Sequence, residues 1–416
     1  MLDIQFIRDN AELVKEKAKQ KNSKADIDGF LDFDLQRRSL LQEVEQLRQN
    51  RNNIAQKIQS APGKPDQKLV EKGRKLKSDL VEKEEKLSEM EKKWKNAWED
   101  IPNIFPDDTP LGGEDANKPI KQHGEAVKAT VQDHLSWAES KGLLDFKRGA
   151  KVAGNKFYFT KGALVELEIA CIQLALNLAI KHGFIPITVP HLINEKTSSG
   201  AGFSPRGEED QIYKIENEDL LLIATAETPI TGYHADEVFE AKDLPLLYVG
   251  ISPAYRKEAG AYGKHSKGLY RVHQFNKVEL YVFCLPEESE KWHEKFLAVE
   301  EELCQLLDIP YQIVRIASGD LGASAYKKYD IEYWSPVEQS YRELMSCSNV
   351  TDYQARRLQI RYRKSDGSIE FVNSLNGTAM AFSRTAIALI ENHQDDHGDV
   401  TIPKELQKYM GGKQKI

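Results

Sequence analysis

Residues 246–285 read LLYVGISPAYRKEAGAYGKHSKGLYRVHQFNKVELYVFCL: two apolar and aromatic runs, Leu246 to Tyr255 and Tyr270 to Leu285, joined by a Gly- and Lys-rich loop from Ala259 to Gly268. No helical segment separates them, so the second run returns antiparallel beside the first, which predicts an α+β body rather than a doubly wound sheet. In the returning strand, residues of equal parity share a face. Arg271, His273, Phe275 and Glu279 therefore fall on one side and Val272, Leu280 and Val282 on the other. The second set packs on a core, and the first offers cations, an aromatic ring and an acid. Arginine forks match phosphate oxygens and a Phe face stacks on a purine, although an exposed strand with cross-strand ion pairs carries the same pattern.

Working outward, Gly162 to His182 reads as an amphipathic helix stopped by Gly183, and Phe184 to Val189 and Leu220 to Ala224 read as short strands. The run Leu222 to Ala224 leads into Thr225-Ala226-Glu227. A carboxylate at the inner end of a buried strand needs a cation, either a substrate ammonium or a structural Arg or Lys. Downstream, Glu343 and Ser346 in Arg342 to Asn349 are suited to sharing a hard cation such as magnesium. Leu375 to Arg384 reads as a strand, a turn and a helix that opens with small residues, with Arg384 early in the helix. Neither a G-x-x-x-x-G-K-[ST] loop nor a G-x-G-x-x-G after a strand is present. A nucleotide would have to be held by side chains.

The stretch from about Phe33 to Asp100 divides into two helix-forming runs joined at Ala61-Pro62-Gly63-Lys64-Pro65. Leu40, Val44, Leu47, Ile54 and Ile58 keep a heptad register with Arg51 in its gap, and Leu69, Leu76, Leu80, Leu87, Met90, Trp94 and Ala97 keep one with Lys83 in its gap. Such a seam and a short turn predict an antiparallel helical hairpin rising roughly 40 Å. Heptads alone fit a spacer or dimerisation coil equally well. The tip is basic: Lys57, Lys64, Lys68, Lys72, Arg74, Lys75 and Lys77 stand against Asp66 and Glu71, which suits contact with a phosphate backbone. The proline-rich stretch from Ile101 to Pro119 has the composition of a linker, so domains are expected at 1–110 and 111–416.

A chain of 416 residues with 30% charged and 40% hydrophobic residues has room for two or three domains. Its net charge of −7 hides the basic tip. The longest apolar stretch, Ile169 to Ile180, is broken by Gln173 and Asn177 and falls short of the ~20 residues of a membrane span. The first residues carry acids and no apolar leader, so a cytoplasmic location is expected. Cys171, Cys284, Cys304 and Cys347 are dispersed, giving neither a disulfide framework nor a zinc site of the usual kind.

Together the four C-terminal segments and the hairpin resemble the seryl-tRNA synthetase family of class II aminoacyl-tRNA synthetases, over essentially the whole chain. The helix before Gly183 with Phe184 to Pro190 is similar to motif 1, Tyr255 to Glu258 with Gly268 to Phe275 to motif 2, and Asn376 to Arg384 to motif 3. The Thr225-Ala226-Glu227 triplet and the segments Glu343 to Asn349 and Asp352 to Arg357 resemble the seryl family in particular.

The resemblance implies an antiparallel-sheet catalytic domain that activates L-serine with ATP and transfers it to the 3′-terminal adenosine of tRNA(Ser), and to tRNA(Sec) where one exists. Arg256 would clamp the α-phosphate and the serine carboxylate, and Phe275 would stack on adenine. Arg384 would cover the other face of the ring or hold the γ-phosphate. Lys257, Glu258, Arg271, Val272, Leu344 and Met345 would complete the ATP cradle. Glu343 and Ser346 would carry the magnesium that comes with ATP. Serine would be held by Thr225, Ala226 and Glu227 around its ammonium, by Arg256 at its carboxylate, and by Glu279 and Thr378 at its hydroxyl. A homodimer built on motif 1, no zinc, and a hairpin gripping the long variable arm of the tRNA are further implications. The loop Lys264-His265-Ser266-Lys267-Gly268 superficially matches a class I signature but lacks its partner motif. From other classes, a coiled-coil RNA-binding scaffold would bind RNA without turning over ATP, and a ligase loading serine onto a carrier protein would have no use for the hairpin.

Overall fold

A computed structural model describes the chain except residues 61, 62, 64, 65, 127–130, 204–210 and 259–266. Its contacts fall into two units, Met1–Pro102 and Asn103–Ile416.

In the first unit α1 (Ile4–Asp9) and α2 (Ala11–Gln20) precede the long pair α3 (Ile27–Gln59) and α4 (Gln67–Asp100). Asp26 caps α3 by accepting from the Gly29 N–H at 2.9 Å, and Asp66 caps α4 by accepting from the Lys68 N–H at 2.9 Å. The heptad positions form the seam: Val44, Leu80 and Leu87 are buried, with Leu40 and Leu47 packed against them. Lys83, in the register gap, pairs with Glu43 of the other arm, and Arg48 pairs with Glu84 at 2.7 Å. The first arm starts at Ile27 rather than near Phe33, because the seam continues past the heptads in aromatic packing, with Phe30 stacked on Trp94 at 6.3 Å. Beneath it the buried Asp34 gathers Arg8 (2.8 Å), Arg38 (3.2 Å) and Arg37 (3.6 Å).

The second unit is built on eight strands: β1 (Lys118–His123), β2 (Ile185–Thr188), β3 (Leu246–Tyr255), β4 (Gln274–Cys284), β5 (Tyr311–Arg315), β6 (Lys327–Ser335), β7 (Ser340–Thr351) and β8 (Asn373–Ala381). They lie in the order β1-β5-β6-β7-β8-β4-β3-β2. Every neighbouring pair is antiparallel except β2 with β3. Helices α5 (Ala163–Lys181), α7 (Ser289–Leu306) and α9 (Phe382–Asn392) bury one face of the sheet against Val278, Leu280 and Val282. Between them in sequence, α6 (Glu227–Tyr233) and α8 (Tyr353–Leu358) meet the opposite face at Tyr281 and Phe283. This is the expected α+β architecture, and the expected parity of the returning strand holds from Gln274 onward, with Val278, Leu280 and Val282 on the helix-covered face.

Two bulges set the phase of the site face. In β7, Ile331 pairs with Met345 but Glu332 pairs with Glu343, so Leu344 is supernumerary. Glu343 and Ser346, three apart in sequence, thereby face the same way. In β8, Thr378 lies opposite Glu279 and Met380 opposite Val278, so Ala379 is the extra residue and Thr378 and Ala381 share a face.

Several expectations are corrected. The segment 103–117 is not a free linker: the Asn103 amide donates to Ser324 O (2.9 Å) and Val350 O (2.9 Å), and Phe105 is buried among Val314, Ile316 and Leu321. The boundary drawn at 110 thus falls inside the second unit. No turn separates β8 from α9, and the small residues Gly377 and Ala379 lie in the strand rather than at the helix start. A Cβ at Gly377 would come within 3.0 Å of the Glu300 carboxyl and of Phe296, so its smallness serves packing under α7. By length and composition α5 is apolar enough to cross a membrane, a longer apolar element than Ile169 to Ile180. Its Leu164, Leu167, Cys171, Leu174 and Leu178 are buried in the core.

Gly250 of β3 pairs with Glu279, and a Cβ there would come within 2.8 Å of both Ala226 and Ile230. Its absence lets α6 rest on the sheet beside Glu279. Gly250→Ala is expected to push α6 outward, lowering stability by about 1–3 kcal/mol. Thermal unfolding checks this.

Candidate active site

A cleft opens on the site face, lined by Arg256, Glu258, Tyr270, Val272, Phe275, Lys277, Glu343, Leu344, Met345, Ser346, Thr378, Ala381, Ser383 and Arg384. Arg256 follows the last residue of β3. Its N–H donates to His273 O (3.0 Å), which fixes the chain as it leaves the sheet. The guanidinium lies over the Phe275 ring, 5.4 Å from the centroid, and Nε reaches Ala224 O at 3.5 Å. Two residues on, Glu258 takes a left-handed backbone (φ 48°), a conformation that non-glycine residues adopt at an energetic disadvantage. Its carboxylate accepts from Arg271 at 3.2 Å.

Across the cleft Arg384, in the first turn of α9, pairs with Glu343 at 2.7 Å and lies over Tyr270 at 5.1 Å. Burial would raise the Glu343 carboxyl, but Arg384, Lys328 and Arg256 outweigh it and hold it down to about 2. Burial and the facing Arg384 depress the Arg256 guanidinium. Two like charges thus face each other over an open space, an arrangement that a polyanion relieves.

The inner end is a second group of charges. Glu227, the first residue of α6, accepts at Oε1 from Gln354 Nε2 (2.7 Å) and Asn376 Nδ2 (3.0 Å). Burial and the neighbouring Glu279 push its carboxyl up to about 7. Burial also raises Glu279, partly offset by Lys277, with which it forms an ion pair. Lys277 Nζ donates to the Thr225 hydroxyl at 3.3 Å. Thr378 is the cross-strand partner of Glu279.

Of the expected site residues, Arg256, Glu258, Val272, Phe275, Glu343, Leu344, Met345, Ser346, Thr378 and Arg384 meet in the cleft. Thr225, Glu227 and Glu279 adjoin it through Lys277 and Arg256. Three stand apart from the lining. Arg271 is half exposed behind Glu258, Lys257 is tied through its N–H to Gln211 O (2.9 Å), and Ala226 is fully buried under Gly250. His273 turns away, its Nδ1 2.8 Å from Arg256 O and its ring against Phe157 at 5.1 Å, while Val272 lines the cleft despite its parity. That follows because β4 begins only at Gln274. Lys277, Gln354 and Asn376 were not singled out as binding residues. Lys277 shares the parity of Phe275 and Glu279 and was legible; Gln354 reaches Glu227 only through the fold. Among the basic residues, Lys57, Lys68, Lys72, Arg74, Lys75 and Lys77 are exposed on the hairpin arms. Lys64 and most of the loop Ala259–Gly268 lie outside the described residues.

Against known proteins, the family model of the seryl-tRNA synthetase N-terminal domain matches residues 1–105, and that of the class II tRNA synthetase core domain (G, H, P, S and T) matches residues 212–393. A serine–tRNA ligase of Dictyoglomus turgidum is 44% identical over 418 residues, covering 99% of this chain and 98% of its own. The chain belongs to the seryl-tRNA synthetase family. Among solved structures, the seryl-tRNA synthetase from Pyrococcus horikoshii complexed with ATP superimposes with a TM-score of 0.91 at 42% identity, covering 100% of this chain and 99% of its own. The cytoplasmic serine–tRNA ligase from Naegleria fowleri in complex with AMP gives a TM-score of 0.84 at 31% identity, covering 100% and 98%. In this member of the seryl-tRNA synthetase family, which lacks a glycine-rich phosphate loop, the cleft is lined largely by strand side chains and the first turn of α9.

Proposed function

We propose that this chain is a cytoplasmic serine–tRNA ligase that joins L-serine to ATP as seryl-adenylate, releasing pyrophosphate, and then transfers serine to the 3′-terminal adenosine of tRNA(Ser). One observation carries the reading: Thr378 lies opposite Glu279 beside a cleft lined by Arg256 and Arg384, which supports a hydroxyl-binding pair next to a phosphate site. An amino acid with a hydroxyl fits the first and a triphosphate the second.

The serine carboxylate, ionised at neutral pH, attacks the α-phosphorus and needs no general base. Arg256 orients it and stabilises charge on the α-phosphate, so positioning and electrostatics supply most of the rate. Phe275 gives adenine a stacking surface once Arg256 moves to phosphate, and Arg384 exchanges Glu343 for nucleotide. Arg271 acts through Glu258. Glu343 and Ser346 fit magnesium arriving with ATP: two protein oxygens on one face leave the remaining positions to phosphate and water. Among the described residues no group of three or more His, Cys, Asp or Glu converges on one point. Magnesium would offset triphosphate charge.

Glu227 receives the serine ammonium, Gln354 and Asn376 having fixed its other oxygen. A hydroxyl site of this kind rejects alanine strongly, because alanine leaves Glu279 and Thr378 unpaired. The basic arms grip the long variable arm of tRNA(Ser), and of tRNA(Sec) where present. The exposed Ile169, Ile180 and Ile185 favour a homodimer on the motif 1 side.

Amino-acid-dependent exchange of pyrophosphate into ATP, with magnesium and without tRNA, tests the reading across serine, threonine, alanine, glycine and cysteine. Exchange with serine alone is expected; exchange led by another amino acid overturns the roles of Glu279 and Thr378, and exchange with none overturns the activity. A pH dependence follows. Only ionised Glu227 attracts the ammonium, and burial with the neighbouring Glu279 pushes its carboxyl up to about 7. The KM for serine should therefore fall as pH rises from about 6 to 8 and then level off, and Glu227→Gln should flatten the profile.

A further inference from the structure

Lys277 projects from the site face of β4, is 7% exposed, and lines the cleft with Arg256 and Thr378. Its ammonium is turned inward, pairing with Glu279 and donating to the Thr225 hydroxyl at 3.3 Å. That hydroxyl also accepts from the Glu227 N–H at 3.3 Å. Thr225 is thus engaged with Lys277 and with the start of α6. We propose that Lys277 is the positioning residue of the hydroxyl pocket: it clamps one side of Glu279, keeps that carboxylate an acceptor, and so lets the pocket distinguish serine from amino acids without a hydroxyl. This inference rests on the proposed serine-reading role of Glu279.

The charges around Glu279 show why a dedicated cation is required. Glu279 is 1% exposed, and its charge is felt by two other buried carboxyls, Glu227 on α6 and, from the helix-covered side of the sheet, Glu300 on α7. Its cations are Lys277, on its own strand, and Arg256, at the end of β3. Arg256 also faces the phosphate side of the cleft, where the substrate claims it. Lys277 is the cation that stays. Without it two adjoining buried carboxyls would ionise only at higher pH, and a protonated Glu279 would lose the fixed acceptor geometry. A compact ammonium suits the task, because it meets Glu279 and Thr225 at a single point.

The test is serine-dependent pyrophosphate exchange by the full chain, with separate KM values for serine and ATP across pH, in Lys277→Met, Lys277→Arg and Glu279→Gln. Lys277→Met is expected to raise the KM for serine about tenfold or more with the KM for ATP within about twofold. Its serine KM should go on falling above the pH where the parent levels off, and its preference for serine over alanine should shrink. Lys277→Arg should recover part of the affinity and the parental profile, which a loss of packing alone would not predict. A lower kcat or a weaker ATP KM, with the serine KM and its pH profile unmoved, would overturn the proposal and assign Lys277 to phosphate. Glu279→Gln separates the two ideas. If it leaves the serine KM and the alanine preference intact, the reading of Glu279 fails; if it disrupts them while Lys277→Met does not, only the role of Lys277 fails. A rise in Tm on adding ATP shows that each variant is folded, and Lys277→Gln carries the same comparison should the methionine variant not be.

Discussion

Arg256→Ala is expected to abolish serine-dependent pyrophosphate exchange, lowering kcat/KM by about 10³-fold or more, roughly 4 kcal/mol of transition-state stabilisation. The expectation rests on where the guanidinium lies. Burial leaves it few partners, and it sits between the Phe275 ring and Ala224 O, at the junction of the cleft's two halves. In the proposed reaction, removing it leaves the attacking carboxylate and the α-phosphate, both anionic, without the cation that would bring them together. Lys would restore charge but not the two-pronged geometry, so Arg256→Lys should recover only a small part of the rate. The fold should survive, since the side-chain contacts described for Arg256 are only the Phe275 ring and Ala224 O. An exchange rate within about tenfold of the parent would remove Arg256 from the chemistry.

The second large effect is expected at the other unit. Replacing Lys68, Lys72, Lys75 and Lys77 by Glu, or deleting residues 57–77, should spare adenylate formation while lowering tRNA charging by about 100-fold or more. These side chains are exposed near the tip, whereas the hairpin is held by its seam at Val44, Leu80 and Leu87 and by aromatic packing at its base. Charge reversal therefore removes attraction without unfolding the arms. The KM for tRNA should also lose much of its salt dependence, because each phosphate contact removed takes a released counterion with it. Loss of adenylation along with charging would mean that the arms do more than hold tRNA.

What was legible in the sequence follows from how local each signal is. The bounds of β3 were read as Leu246 to Tyr255 and are so, because an apolar run ending in charge is decided by near neighbours. The hairpin seam was legible because its register repeats. The bulges are not: only pairing with β6 makes Leu344 supernumerary in β7, and only pairing with β4 makes Ala379 supernumerary in β8. Segment 103–117 carries a linker's prolines, yet its Asn103 finds carbonyls more than 200 residues away. Glu227 was visible as a buried acid in want of a partner, whereas the amides that fix it, Gln354 and Asn376, come from α8 and β8. Lys277 is in phase with Phe275 and Glu279, but a lysine in a strand carries no signal of its own for a buried ion pair.

The extra residues in β7 and β8 mean that this site is written in length as well as in letters. A strand is a ruler with two sides, and each bulge works as a half-step that moves every later mark to the other side. Shortening β7 by Leu344 alone would keep both Glu343 and Ser346 in the chain, yet would turn one of them toward the helices. A catalogue of residue identities would record that variant as intact, while its cleft would have lost half of a matched pair.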